Sequence, residues 1–310
     1  MHSLSPYLFR CYNQHSAAKK REQRYSSLDN IKGYDLFKML SDFMEDNSKK
    51  YTVMENEKQV YMFSHMFFDD RTREGYAYFN VGSYGMKTDI INVDTGDVDF
   101  EKAEKNAEII KHFIYFFIPT GFNEGLVFTH AFRGNGIKTL FHNLMGKYFD
   151  EKTKLCLQMN PLAYENGVRA WLDGAAKEVK IVKFSGFNDP SDAIKKLGHN
   201  EQELIIKPPR KGSLGKLRDY LDTSSKQHES VELLNEFGSQ VKTVIEIDGK
   251  KRTFTVGSKA TNTVCEIEFD EDIEYSEGVP KLDSVVAWAR VLVKEYVKDL
   301  YPGLPMGNLP

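Results

Sequence analysis

The chain has 310 residues, enough for one large or two medium domains, and its 41% hydrophobic and 28% charged residues are ordinary for a globular protein. This excludes a long disordered chain and any need for a disulfide or cofactor to complete the core. A formal charge of -3 and a pI near 6.3 exclude a protein that coats nucleic acid by bulk charge and leave only local basic faces for that purpose.

The first predicted unit is the strand "YLFRCY", the basic loop "SAAKKREQRYSS" and an amphipathic helix in "NIKGYDLFKMLSDFMED", where Ile31, Leu36, Phe37, Leu40 and Phe43 recur at helical spacing. Short aromatic and β-branched runs follow, "YTVMEN", "QVYMFSHMFF", "GYAYFNVGSYG" and "TDIINVD", separated by polar and glycine turns. They predict an antiparallel meander. The charged text "DFEKAEKNAEII" reads as a helix ending before the apolar run 113–118, and "EGLVFTHAF" is the next strand. A helix "IKTLFHNLMGKYF" follows, with Ile137, Leu140, Phe141, Leu144 and Tyr148 on one face.

Further strands are expected at "KLCLQMNPL", "VKIVKF" and "ELIIKPP". Short helices are expected at "DPSDAIKKLG" and from "GSLGKLRDYLD". The clearest local signal is "VKTVIEIDGKKRTFTVGS", two β runs around the "DG" of a tight hairpin turn. After the strand and acidic run "TVCEIEFDEDIEY", a long amphipathic helix is predicted over Leu282–Leu300, built on Val285, Val286, Ala289, Leu292, Val293 and Val297. The fold class expected is α+β, with antiparallel sheets and packed helices.

Catalytic signatures are weak. "FTHAFRGNGIKTL" places glycines between a strand and a helix, as an acetyl-CoA pyrophosphate turn of the form Arg/Gln-x-x-Gly-x-Gly/Ala does, with backbone N–H groups facing the anion. Arg133 and Gly136 fit, but Lys138 stands where that turn needs glycine or alanine, so the glycines read as a connector. No Walker spacing is present. The eight histidines form no His-x-x-x-His pair, so no metal is expected. "EIDGK" lacks the acid-x-Lys spacing of a Mg²⁺-dependent nuclease and reads as a hairpin tip. Cys11, Cys156 and Cys265 are scattered, which predicts a reducing compartment, with Cys156 a buried, inert thiol. No apolar run has membrane length, and "MHSLSPYLFRCYNQH" has neither basic leader nor apolar signal core; a cytoplasmic protein is the expectation.

Positive charge is concentrated in three places. Lys19, Lys20, Arg21 and Arg24 lie in the early loop. Lys207, Arg210, Lys211, Lys216 and Arg218 lie in "KPPRKGSLGKLR", which has no acid. Lys250, Lys251 and Arg252 lie at the hairpin turn. Basic residues beside open backbone amides suit a phosphate backbone, and these are the candidate DNA contacts. The acids from Glu266 to Glu277 form a run without a base, which leaves room for a basic face on an acidic protein and for an acidic cover over it.

Taken in order, "FIYFFIPTGFNEGLVFTHAF", "IKTLFHNLMGKYF", "LQMNPL", "VKIVKFSGFNDPSDAIKKLG" and "LIIKPPRKGSLGKLRDYL" resemble the Rex A family of lambdoid phage-exclusion proteins. The likeness is one of hydrophobic pattern along nearly the whole chain. It implies a homodimer that opens to admit duplex DNA, with a globular body (1–167 and 260–310) and a smaller mobile domain (168–259) carrying "KPPRK" and "DGKKR". It also implies DNA binding with little sequence preference, no cofactor, a companion membrane protein and a role in excluding other phages. The tight basic turn "DGKKR" departs from the family pattern. Two other readings stay open: an enzyme (a nuclease or an acyl-CoA-dependent transferase), and an interaction protein that inhibits a defence complex.

Overall fold

The structure, a computed structural model, describes residues 2–13, 16–162, 171–182, 203–210, 212–238, 240–247, 250–257, 265–305, 307 and 309–310, with backbone only at Arg21, Glu22, Lys250 and Asp299. The helix expected in "DPSDAIKKLG" and the "DG" turn lie outside the described residues. The chain divides into two compact units. An N-terminal unit holds Phe9–Met159 with Pro305–Pro310, and a C-terminal unit holds Asn160–Leu304 with Met1–Leu8. Residues 168–259, read as a domain of their own, share a unit with 260–304. Strand β1, His2–Tyr12, contributes to both units.

The N-terminal unit runs through a 3-10 turn at Arg21–Arg24, β2 (Tyr25–Ser26), α1 (Leu36–Asp46), β3 (Thr52–Met54), β4 (Gln59–Asp69), β5 (Glu74–Ser83), β6 (Thr88–Ile91), β7 (Val98–Lys102), β8 (Glu108–Phe117), β9 (Gly125–Phe132), β10 (Asn135–Gly136), α2 (Lys138–Thr153) and the start of β11 (Cys156–Pro161). Its sheet order is β9-β8-β5-β4-β3, antiparallel throughout, so three of the four expected meander strands are present; the fourth, β6, pairs with β7 in a separate two-stranded sheet. Alternation puts Phe63 and Phe79 on one face as a cross-strand pair, with ring centroids 4.6 Å apart. Phe43 of α1 and Phe141 of α2 meet the edges of these rings, which closes the core. Helix α1 begins at Asp35, whose carboxylate accepts from Phe37 N (2.9 Å) and from both terminal nitrogens of the buried Arg73 (2.7 Å each).

Two expectations for this unit are corrected. "DFEKAEKNAEII" is not a helix: Val98–Lys102 pairs with β6, Ile90 opposite Phe100, and residues from Glu108 onward pair with β5. The Asn106 side chain accepts from Ala103 N at 2.8 Å and holds the turn between them. The charges at helical intervals carried no helix because Ile109 and Ile110 belong to the sheet. The second correction is the buried side of α2, which is Phe141, Met145, Phe149 and Thr153 following Ile137, a strict four-residue spacing; Leu140, Leu144 and Tyr148 are half-buried on its flank.

The C-terminal unit contains β12 (Ala175–Val182), β13 (Glu203–Ile206), α3 (Leu217–Leu221), α4 (Lys226–Leu234), β14 (Gln240–Ile247), β15 (Lys250–Val256), β16 (Cys265–Glu268), the short pair β17 (Tyr275–Ser276) and β18 (Val279–Pro280), and α5 (Leu282–Leu300). Its sheet order is β13-β12-β14-β15-β16-β1, with Ser3 and Leu4 of β1 pairing Glu268 and Ile267. Helix α5 has the expected limits, and all six expected core residues are buried. One face of the sheet carries Val179, Ile181, Val241, Ile245, Phe254 and Ile267, all buried. The opposite face carries charged residues.

Candidate nucleic-acid interface

The register of the C-terminal sheet fixes where its basic residues stand. Lys216 bridges Ala175, Ala175 pairs with Glu246, and Glu246 pairs with Lys251. Cross-strand partners share a face, so Lys216 and Lys251 lie in one row three strand spacings apart, about 14 Å. Ile206 ends β13 opposite Val179, which brings the next residue, Lys207, beside Glu178; Lys207 Nζ is 3.2 Å from Glu178 Oε1. Arg218, in the first turn of α3, reaches the same carboxylate as Lys216, that of Asp173. Lys207, Arg210, Lys216, Arg218 and Lys251 therefore belong to one unit, and the side chains of Lys207, Lys216 and Arg218 are more than half exposed. Arg210 and Lys251 are exposed as well.

The row carries matching acids. Lys216 Nζ donates to Asp173 Oδ1 at 3.2 Å, and that hydrogen bond, with the Arg218 guanidinium beside it, holds the Asp173 carboxyl below the usual carboxylate range. Glu246 lies 3.8 Å from Lys177. Deeper in the sheet, Lys180 Nζ is 3.1 Å from Glu268 and Lys242 Nζ is 2.7 Å from Glu266; both lysines are buried and serve the sheet. Thus Glu266 and Glu268, the first two acids of the acidic run, hold lysines of β14 and β12 across the face of the sheet. Further along the run, Asp270 accepts from Trp288 Nε1 at 2.9 Å and Glu274 pairs with Lys281 at 2.8 Å, contacts that tie this stretch to α5.

The remaining basic residues are placed differently. Arg252 is 6% exposed: its guanidinium lies over the Trp171 ring at 5.2 Å, Nη2 donates to Glu295 at 3.3 Å and Nη1 to the Lys251 carbonyl at 3.0 Å. Strand alternation explains this, since Lys251 and Arg252 cannot both face outward. Lys19 and Lys20 are exposed in the N-terminal unit. Lys211 and the side chains of Arg21 and Lys250 are outside the described residues.

The glycine loop is a hairpin. Asn135 pairs with Phe132 and Gly136 with Ala131, and Arg133 and Gly134 form the turn with φ of 49° and 78°. Asn135 and Gly136, which lead into the helix, are thus held in a strand pair with β9, and Ile137, the N-cap of α2, gives it no side-chain hydrogen bond. Cys156, expected to be buried, is exposed at the first position of β11, where the pleat turns Leu155 and Leu157 inward. Among the described residues no group of three or more His, Cys, Asp or Glu could hold a metal ion, and no helix is long and apolar enough to cross a membrane. Neither protein-family models nor curated proteins give a match to this chain.

Proposed function

We propose that the protein binds duplex DNA without sequence preference through Lys207, Arg210, Lys216, Arg218 and Lys251, as a homodimeric, non-catalytic sensor of phage exclusion with a companion membrane protein. The observation that carries the DNA reading is the shared row of Lys216 and Lys251, with Lys207 and Arg218 beside it. Their ion pairs are exposed, and exposed pairs contribute little net stability, so phosphate can replace carboxylate at small cost. Phosphate contacts position a protein on DNA without reading bases, which suits a sensor indifferent to sequence. The Rex A resemblance supports the dimer, the membrane partner and the defence role.

The test is fluorescence anisotropy on a labelled random-sequence duplex, with an unrelated unlabelled duplex as competitor. Equal competition by both sequences is expected. Replacing Lys207, Lys216, Arg218 and Lys251 together by Ala should weaken binding at least about a hundredfold at low salt. Unchanged affinity in a folded quadruple variant would overturn the site, and no binding by the parent protein would overturn the function.

A further inference from the structure

A groove of about 860 Å³ lies within the C-terminal unit, between the β15 residues Lys251 and Arg252, the loop that follows β16, and α5. Its apolar surface comes from Phe269, Trp288 and Val291, and Val291 is 55% exposed although it sits on an otherwise well-packed helix. Six of its fourteen lining residues are carboxylates, several of which are already neutralised: Glu268 by Lys180, Glu274 by Lys281 and Glu295 by Arg252. Glu271 and Asp272 are different. Both are exposed, and neither has an ion pair among the described residues.

The loop that presents them is held in place. Ile273 is buried beneath it, Asp272 N donates to Asp270 Oδ1 (3.1 Å), Glu274 N donates to Ser284 Oγ (3.1 Å), and the Trp288 indole anchors Asp270. At the base of the groove Arg252 is more than nine-tenths buried, with its guanidinium engaged by Trp171, Glu295 and the Lys251 carbonyl, so it offers no free charge to a ligand.

We propose that this groove docks a basic, apolar-anchored peptide segment of a partner protein. Each feature selects for part of that ligand. Glu271 and Asp272 take a Lys or Arg side chain, and the exposed Val291, beside the edge of Trp288, takes an apolar one. Nucleic acid is the wrong ligand here, because its phosphates would face uncompensated carboxylates. A simple polyamine would satisfy the acids and leave the apolar surface unmatched. The inference rests on Glu271, Asp272 and Val291, which the DNA reading does not use, and on the opposite ligand charge; Lys251 borders both surfaces.

The probe is a short fluorescein-labelled peptide of Lys, Arg and Leu, titrated onto the full chain by anisotropy. It is compared with a version in which Ser replaces Leu and with one in which Glu replaces the basic residues. The expected result is binding of the first peptide, roughly tenfold weaker binding of the Ser version, and none of the acidic one. The double variant Glu271→Lys/Asp272→Lys should lose about tenfold or more, and so should Val291→Glu; all three positions are exposed, so folding is preserved and can be checked by melting. Equal binding of the Ser version with no effect of Val291→Glu would reduce the interaction to bulk charge and overturn the proposal. Full binding to the folded double variant, or no binding by the parent, would overturn it too.

Discussion

Asp173 shows how one residue can set the strength of a surface. It accepts from Lys216 and pairs with Arg218, so two cations of the proposed interface share one counter-charge. Its folded carboxyl titrates below the ordinary value, so what it adds to stability is present above the unfolded carboxylate pKa and is lost as pH falls through the lowered folded one. At neutral pH it is charged and competes with phosphate. Asp173→Asn keeps the shape and removes the competitor, so DNA affinity should rise roughly threefold at low salt, with the gain shrinking as salt screens the site. Anisotropy titrations of the two proteins at two salt concentrations measure this, and a variant that binds no better would place Lys216 and Arg218 outside the contact.

At the scale of elements, what could be read from the sequence followed the strength of each period. Helix α5 was fully legible because Val285, Val286, Ala289, Leu292, Val293 and Val297 repeat at 3.6-residue spacing over nineteen positions. The first three strands of the meander were legible because β-branched and aromatic runs alternate between turns, while "TDII" was legible as a strand and not as a member of the other sheet it forms with β7. Helix α4 was missed because Val231 is its one buried residue, although Ser225, which accepts from His228 N at 3.0 Å, was a readable N-cap. At the site, the basic clusters were legible as composition, while the inward turn of Arg252 depended on a strand parity that the run "KKR" concealed. For α2 the helix was legible and its face was not. Tertiary packing chose the stripe through Phe141, Met145 and Phe149 over the neighbouring one through Leu144. Phe141→Ala should therefore cost about 3 to 5 kcal/mol, against about 1 kcal/mol for the half-buried Leu144→Ala. Chemical denaturation of both variants checks the ranking, and equal losses would mean that the stripe is misassigned.

For the whole molecule, the formal charge of -3 means that the proposed attraction to DNA has to come from local arrangement. The acids are numerous but tied down: Glu178, Glu246, Glu266 and Glu268 each face a lysine of the same sheet, so the long-range field near the exposed row is weaker than composition suggests. Each phosphate neutralised releases counterions, and log affinity falls against log salt with a slope of about -0.9 per contact. Five exposed cations in the C-terminal unit then give a slope of roughly -4 to -5 per engaged protomer. Lys19 and Lys20 are exposed in the other unit, and their role can be separated by the same measurement. If only the C-terminal row touches DNA, Lys19→Ala/Lys20→Ala leaves the slope unchanged, whereas Lys216→Ala/Lys251→Ala flattens it by about two. A slope near zero in the parent protein would remove phosphate neutralisation as the basis of binding. A slope flattened equally by both pairs would extend the contact surface to both units.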